Sequence, residues 1–213
     1  LKLVNQVMDL SKVKVGKLEL QARPVQVKPL IRYIFSSFDS KAELKALDYQ
    51  LFLPEAEVEL YLDAEKFQQI LSNLLSNGCK FVPQKGKLYV RLTQDAQSVS
   101  ISVEDNGPGI PPLQQAHIFA PYFQVSGHPH PEEAGTGIGL AISKELTELH
   151  GGTIALQSDW EKGTTFTLTF IKGKAHLSED QINFFKGQVQ QVEPEIEPIA
   201  SSTSDQHTAP EEA

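Results

Sequence analysis

The sequence predicts a two-layer α/β sandwich, a mixed sheet covered on one face by helices. Three observations predict it. Apolar residues recur at helical spacing over 67–75 and 140–149. Short segments of alternating polarity flank those stretches in pairs. Turns built on Gly or Pro separate the two kinds.

Taken in order, a helix is predicted over 27–47, starting near Pro29, and residues 49–53 and 58–62 alternate as short strands. Asp63 stands where the next helix needs its N-cap, just before Phe67, Ile70, Leu71, Leu74 and Leu75. Residues 84–87 form a turn, and 88–92 and 99–103 form strands. A second amphipathic helix carries Leu140, Ile142, Leu146 and Leu149, with His150 as a cap and Gly151 and Gly152 as its stop. Strands over 153–157 and 165–170 follow, with Gly163 turning between them and Trp160 as partly exposed structure.

The first amphipathic helix also carries Asn73, Asn77 and Lys80, four and three residues apart and so on one stripe. Two carboxamides and an ammonium make a poor core face. They suit a metal ion and a polyphosphate: an Asn oxygen is a hard ligand of the kind Mg²⁺ accepts, and Lys is a point charge for phosphate. The alternative is an ordinary solvated face. A strand running into Asp105, followed by Gly107 and Gly109, offers a carboxylate at a strand end beside a backbone that can approach a ligand. The alternative there is a plain Asn-Gly turn. Glycines 135, 137 and 139 open a helix N-terminus, where free amides and partial positive charge favour an anion. A long irregular loop precedes them, which sets aside a dinucleotide-binding turn.

Together and in this order, these segments resemble the histidine-kinase branch of the GHKL ATPases, over roughly residues 9–171. Residues 73–81 resemble the N box, 105–109 the first glycine box, Phe119-Ala-Pro-Tyr-Phe123 the F box and 135–140 the second glycine box. The resemblance implies the Bergerat ATP-binding fold, with ATP and Mg²⁺ as cofactors. It implies that Asn77 coordinates Mg²⁺, with Asn73 supporting it, and that Lys80 meets the phosphates. Asp105 would hold the adenine amine, with Gly107 and Gly109 shaping the pocket. Thr136, Gly137, Gly139 and Leu140 would line the triphosphate, with Gly135 and Ile138 also counted in the ATP site. Phe81, Ile110 and Thr165 complete the implied site, and Phe119 and Phe123 would anchor an ATP lid over about 112–134.

Within the superfamily, gyrase-like and chaperone-like relatives carry Glu at the position of Asn73, where it activates water. A carboxamide cannot serve as that base. The resemblance therefore implies a protein-histidine kinase, transferring the γ-phosphoryl to a side chain from outside by positioning and charge neutralisation. That side chain sits on a dimerisation helix. Leu3, Val7 and Leu10 recur at helical spacing before Gly16 and resemble the end of the second such helix. The chain opens on Leu1, so a piece of a longer protein is expected. His117, His128, His130, His150, His176 and His207 all lack the phosphoacceptor context, so self-phosphorylation by the family's route is not expected of this chain. The expected division is 1–22 as dimerisation-helix end and linker, 23–173 as the catalytic domain, and 174–213 as an acidic linker.

Composition fits. The 213 residues are 40% apolar, enough for a real core, and no run of eighteen apolar residues suggests a membrane span. One cysteine, Cys79, reads as a buried filler in a reducing compartment, so a cytoplasmic setting is expected, as part of a membrane-anchored sensor. The net charge is −8, and residues 178–213 carry eight acids against Lys186. Neither part offers a basic stripe, so nucleic acid is not expected as a partner. The Glu-, Pro-, Ser- and Thr-rich end reads as a disordered linker, and 173–182 resembles the segment leading to a receiver domain in hybrid sensors. Expected partners are ATP, the protein's own dimerisation helices in a homodimer, and a receiver domain in cis or a response regulator.

Two departures stand out. No Lys or Arg occurs between Arg91 and Lys144, where relatives often place a cation in or beside the lid; His128, His130, Glu132 and Glu133 stand there instead. Gly78, where Ala is usual, loosens its helix by about 1 kcal/mol. The neutral lid keeps a second reading open, a pseudokinase or nucleotide-sensing interaction module. A third, a hydrolytic ATPase, is opposed by Asn73.

Overall fold

The computed structural model describes Met8 and residues 18–125 and 136–182. Its strands are β1 (Arg23–Gln26), β2 (Asp48–Phe52), β3 (Glu59–Leu62), β4 (Lys87–Gln94), β5 (Ser98–Asp105), β6 (Thr153–Asp159) and β7 (Gly163–Ile171). Its helices are α1 (Val27–Ser36), α2 (Asp39–Leu44), α3 (Ala64–Phe81), α4 (Pro112–Gln115) and α5 (Gly139–Leu149). The main sheet runs β2-β4-β5-β7-β6, with β2 parallel to β4 and the other neighbours antiparallel. Among the described residues, no helix is long and apolar enough to cross a membrane.

The sheet is mixed and covered on one face, as expected. Along β5, Val99, Ile101 and Val103 are buried while Ser98, Ser100 and Ser102 are partly exposed. Along β7, Phe166, Leu168 and Phe170 are buried and the intervening threonines less so. The buried rows meet Phe67, Ile70, Leu71, Leu74 and Leu75 of α3, none more than 1% exposed. Each such side chain removed from water contributes about 1.5–3 kcal/mol, which makes α3 the main partner of the sheet. Cys79 lies in the same core, and burial pushes its thiol pKa up.

Two expectations need correction. The helix expected over 27–47 is two helices. Ser36 and Ser37 turn their hydroxyls onto the carbonyls of Tyr33 and Ile34, at 3.0 and 2.6 Å, and Phe38 enters the core at the break. The strands expected over 49–53 and 58–62 form, but not as one ribbon: β3 pairs with β1 in a separate two-stranded sheet. The connection between β2 and β3 is tied to α1 by Lys28, 6% exposed, which donates to the carbonyls of Glu55 and Ala56 and pairs with Glu57 at 2.9 Å. Of the expected dimerisation-helix end, only Met8 is described; residues 126–135 and 183–213 also lie outside the described residues.

α3 and α5 run antiparallel and are pinned at both ends. The Asp63 carboxylate accepts the Lys66 N–H at 3.2 Å and so caps α3 as predicted. The Asp63 N–H donates to His150 Nε2 at 3.1 Å. A backbone amide only donates, so Nε2 holds a lone pair, and Nδ1–H donates to the Leu146 carbonyl at 2.7 Å. His150 thus caps α5, as expected, and ties it to the start of α3. At the far end, Asn73 Nδ2 donates to Gly139 O at 3.2 Å and to Ser143 Oγ at 3.3 Å.

Gly78 has a packing reason that its sequence position hides. A Cβ there would fall 2.5 Å from Leu88 Cδ1, and Leu88 is fully buried. Gly78→Ala gains about 1 kcal/mol of helix propensity but overpacks the core by about 1–3 kcal/mol, for a net loss. Urea unfolding checks this: the midpoint should fall, and adding Leu88→Val should recover most of it; an unchanged midpoint for the single variant counts against the packing argument.

His150 also sets a pH dependence. Burial holds its pKa below the usual 6.5. The unfolded chain then binds the proton more readily, so this contribution to stability is full above about pH 6.5 and is lost as pH falls through the lower folded value. The melting temperature of wild type minus that of His150→Gln should shrink on going from pH 7.5 to 5.5. A constant difference would show that the ring is not buried neutral.

Candidate active site

The α3 stripe starts buried and opens outward. Asn73 is 8% exposed, while Asn77, Lys80 and Phe81 are half-buried. Asn73 spends its amide on α5, so its role here is to fix the start of that helix. Lys80 Nζ lies 4.6 Å from the centre of the Phe81 ring, a cation resting on an aromatic face. The last carbonyls of α3 are taken by Lys45, whose Nζ donates to Lys80 O at 2.8 Å and Val82 O at 3.2 Å. That lysine holds the end of the stripe in place.

Asp105 ends β5 on the helix-covered side, continuing the row of Val99, Ile101 and Val103. Its Oδ1 accepts the Gly107 N–H at 2.8 Å, and the Thr164 amide also donates to it. Desolvation outweighs these bonds and lifts its pKa to about 6. Gly107 is glycine for a reason of space: a Cβ would sit 2.8 Å from Asp105 Oδ1 and 3.2 Å from Phe81 O. At Gly109, φ is +67° and a Cβ would lie 2.1 Å from Asp159 O. Ile110 is buried, and its N–H donates to Ser158 Oγ at 2.9 Å. The Gln115 amide then ties Ile110 O to Ser158 O, at 2.8 and 2.9 Å. The floor of the pocket is therefore built jointly by β5, β6 and β7.

The lid anchors sit beside the start of α5. Phe119 packs edge-on against Phe166 at 6.3 Å, and Phe123 lies 5.8 Å from the His117 ring. Gly137 has φ +69°, and a Cβ would fall 2.6 Å from the Tyr122 backbone, whose N–H donates to Gly137 O at 2.9 Å. Thr136 Oγ1 accepts the Ile138 amide at 3.3 Å. No side chain among the described residues caps α5, and its first turn carries no acid, so its leading amides are free to meet an anion. Leu140 is half-buried against the core. A Cβ on Gly139 would meet Asn73 only at ordinary contact distance, so space does not require glycine there. Gly135 lies outside the described residues, as do His128, His130, Glu132 and Glu133. Lys144, the first cation after the lid, is half exposed, 3.8 Å from Glu148 and 5.9 Å above the Phe119 ring.

Two predicted site residues are not brought to the pocket. Thr165 stands on the uncovered face of β7; Thr164, buried and paired in register with Asp105, occupies the place expected of it. A one-residue offset in a strand reverses the face. Ile138 is 1% exposed and packs on Ala141, so it supports the start of α5 from the interior. Sequence reasoning also missed Ser143, Ser158 and Gln115. The one usable signal was Ser143, four residues after Gly139 and hence on the same helical face.

The molecule so described is an α/β nucleotide-binding domain. It has a buried carboxylate at a strand end, a polar helical stripe, and a second helix presenting its N-terminus across from it. Residues 62–174 match the family described as histidine kinase-, DNA gyrase B- and HSP90-like ATPases. The chain belongs to this ATP-binding family. It is 36% identical over 170 residues to the circadian input-output histidine kinase CikA of Synechococcus elongatus, covering 79% of this chain and 22% of that protein. It is 35% identical over 173 residues to hybrid signal transduction histidine kinase D of Dictyostelium discoideum, covering 79% of this chain and 11% of that one. The chain thus spans a small part of the curated relatives it matches. Among solved structures, the catalytic domain of histidine kinase ThkA superposes with a TM-score of 0.64 at 25% identity, over 72% of this chain and 99% of that one.

The raised pKa of Asp105 has a cost that can be measured. Its folded value, about 6, exceeds the ordinary 3.8, so the folded state resists ionisation. This group's stabilisation is full below pH 3.8 and is lost as pH rises through 6. Asp105→Asn should therefore stabilise the nucleotide-free domain at pH 7 by on the order of 1–3 kcal/mol, and the gain should vanish near pH 4. Chemical denaturation at both pH values reads it; a variant less stable than wild type at pH 7 would overturn it.

Proposed function

We propose that this domain binds ATP with Mg²⁺ and transfers the γ-phosphoryl to a histidine on a dimerisation helix of its own homodimer. The phosphoryl group would then pass to a receiver-domain aspartate. The observation that carries this reading is Asn73. The residue at the place where hydrolytic relatives need a base is a buried carboxamide, and its amide is bonded to Gly139 and Ser143. It can neither take a proton from water nor move freely to orient one. With no base for water on α3, the chemistry left to the domain is presentation of the nucleotide to an acceptor from outside.

The residues fit the nucleotide. Gly107 leaves the Asp105 carboxylate open at its edge, so an exocyclic amine can donate to it. Phe81 and Ile110 supply apolar contact for a planar base. The uncapped amides of α5, with Thr136 and Gly137, face the phosphates, and Lys80 adds a full positive charge. Asn77, half-buried one turn beyond Asn73, is placed to offer one oxygen to Mg²⁺. The described residues contain no group of three or more His, Cys, Asp or Glu that could cage a metal. That suits an ion which keeps its waters and binds through substrate phosphates plus one or two protein oxygens. When bound, ATP supplies the phosphoryl group and Mg²⁺ offsets its charge.

The relatives' names support the wider setting. Histidine kinase D is called hybrid, which favours a receiver in the same protein. No basic stripe among the described residues suggests nucleic-acid contact by this segment; a cytoplasmic setting is part of the proposal and rests on the single buried Cys79.

Calorimetric titration with a non-hydrolysable ATP analogue tests the site. Wild type should bind saturably and only weakly without Mg²⁺, and Asn77→Asp should alter the Mg²⁺ dependence. Asp105→Asn should weaken binding at least about tenfold, or 1.4 kcal/mol, while the protein stays folded. Unchanged affinity in Asp105→Asn would sink the assignment of the base pocket. Steady ATP hydrolysis by this chain alone would sink the transfer reading.

A further inference from the structure

The sheet and its helices are complete at β7, yet the chain does not leave there. It turns back and docks where it came in. Leu177, 9% exposed, forms a small apolar cluster with Leu20 and Ala22, 2% and 4% exposed, and Tyr61, Leu149 and Ile182 pack around it. The Ala22 N–H donates to Gln181 O at 2.9 Å. The Gln181 side chain works in both directions. Its Oε1 accepts the Ser178 N–H at 2.8 Å, and its Nε2 donates to Leu149 O at 3.4 Å. Ser178 and Gln181 thus share the three-residue spacing of a capping box, opening a helical turn against the end of α5. His176 lies over Gly151, where a Cβ would come within 2.7 Å of its ring.

The incoming side is tied just as closely. The Gln21 N–H donates to Asp63 Oδ2 at 3.1 Å, on the carboxylate that caps α3 and pairs with Lys66 at 2.6 Å. The same Asp63 offers its N–H to His150. One junction therefore gathers four things: the linker at 18–22, the segment at 174–182, the start of α3 and the end of α5. The nucleotide groups lie at the other end of that helix pair. α5 is about 16 Å long at 1.5 Å per residue, so a small tilt at this junction shifts its leading amides against the α3 stripe.

We propose that residues 174–182 are a positioning segment for the nucleotide site, a clasp that couples the incoming linker to the spacing of α3 and α5, with Leu177 and Gln181 as its two positioning residues. The proposal rests on the nucleotide-binding reading above. It makes the affinity for nucleotide depend on residues that touch none of it. Contact made by whatever continues from Ile182 reaches the linker and both helices at once.

The test uses the 213-residue chain with Leu177→Ser and Gln181→Glu, and Arg32→Gln, exposed on α1 and outside the segment, as a control. Gln181→Glu keeps the acceptor for Ser178 and removes the donor to Leu149, so it decides the matter even where Leu177→Ser folds poorly. The readouts are amide exchange at Ala22 and Gly152, melting temperature, and affinity for the ATP analogue with Mg²⁺. Both variants should speed exchange at Ala22 by about tenfold and weaken the analogue by about fivefold or more, while the control matches wild type. Faster exchange with unchanged affinity would make the segment mere structure and overturn the proposal, as would unchanged exchange. Wild type that binds no analogue would overturn the nucleotide reading and the clasp with it. Binding that neither variant weakens overturns the clasp alone.

Discussion

The hydrogen bond from the Asp63 amide to His150 is the constraint on which the site depends. It joins the N-cap of one amphipathic helix to the C-cap of another, 87 positions apart in sequence. Both helices bury their apolar sides on the same sheet, and burial alone would leave them free to slide. Two directional bonds, here and at Asn73–Gly139, remove that freedom. His150 achieves this by staying neutral inside the core, where one nitrogen accepts and the other donates. A protonated ring would have two donors and no lone pair for Asp63, so the geometry and the low pKa have one cause.

At the opposite end of the domain, the arrangement costs stability instead of supplying it. Asp105 is held with most of its water removed, Gly107 gives up a side chain to leave the carboxylate uncovered, and Gly109 takes a conformation other residues resist. The glycines answer to local space, but nothing inside the domain offsets the buried carboxylate, and the nucleotide proposed above is what would. A purine amine would give the carboxylate the donor that burial took from it. The clustering of such costs at one strand end, while the helix pair beside it is over-fixed, is what separates a site from a turn.

Much of this was legible in the sequence. The 3.6-residue period of α3, its Asp63 cap, the polar stripe and the glycine turns are local patterns, and local patterns survive folding. The failures are non-local. β1 was invisible because four residues carry no period, and β3 pairs with β1 instead of its sequence neighbour, a long-range choice that no local pattern records. Thr165 was named because nothing local fixes which face of a strand a residue takes; the pairing of β5 with β7 puts Thr164, not Thr165, beside Asp105. Gly78 read as a weak point in a helix, and its real neighbour, Leu88, lies on a strand that only tertiary packing brings there. The junction of 18–22 with 174–182 joins the two flanks of the domain, and no window along the chain contains both.

The absence of Lys and Arg from 92–143 gives these non-local features their weight. A triphosphate concentrates negative charge, and relatives often meet it with a cation in or beside the lid. Here the described site offers Lys80, the amides of α5 and one carboxamide. An ammonium on a flexible stem can follow a phosphate that moves; a helix N-terminus cannot, and its partial charge falls off within the first turn. A domain that leans on backbone amides must therefore hold the helix carrying them at a fixed place. The pins at His150 and Asn73, the strap from Gly137 to Tyr122 and the clasp at Leu177 all act on α5. If the domain binds the nucleotide as proposed, a lid sequence poor in cations and a helix fixed from so many sides are two halves of one electrostatic solution, with position standing in for charge.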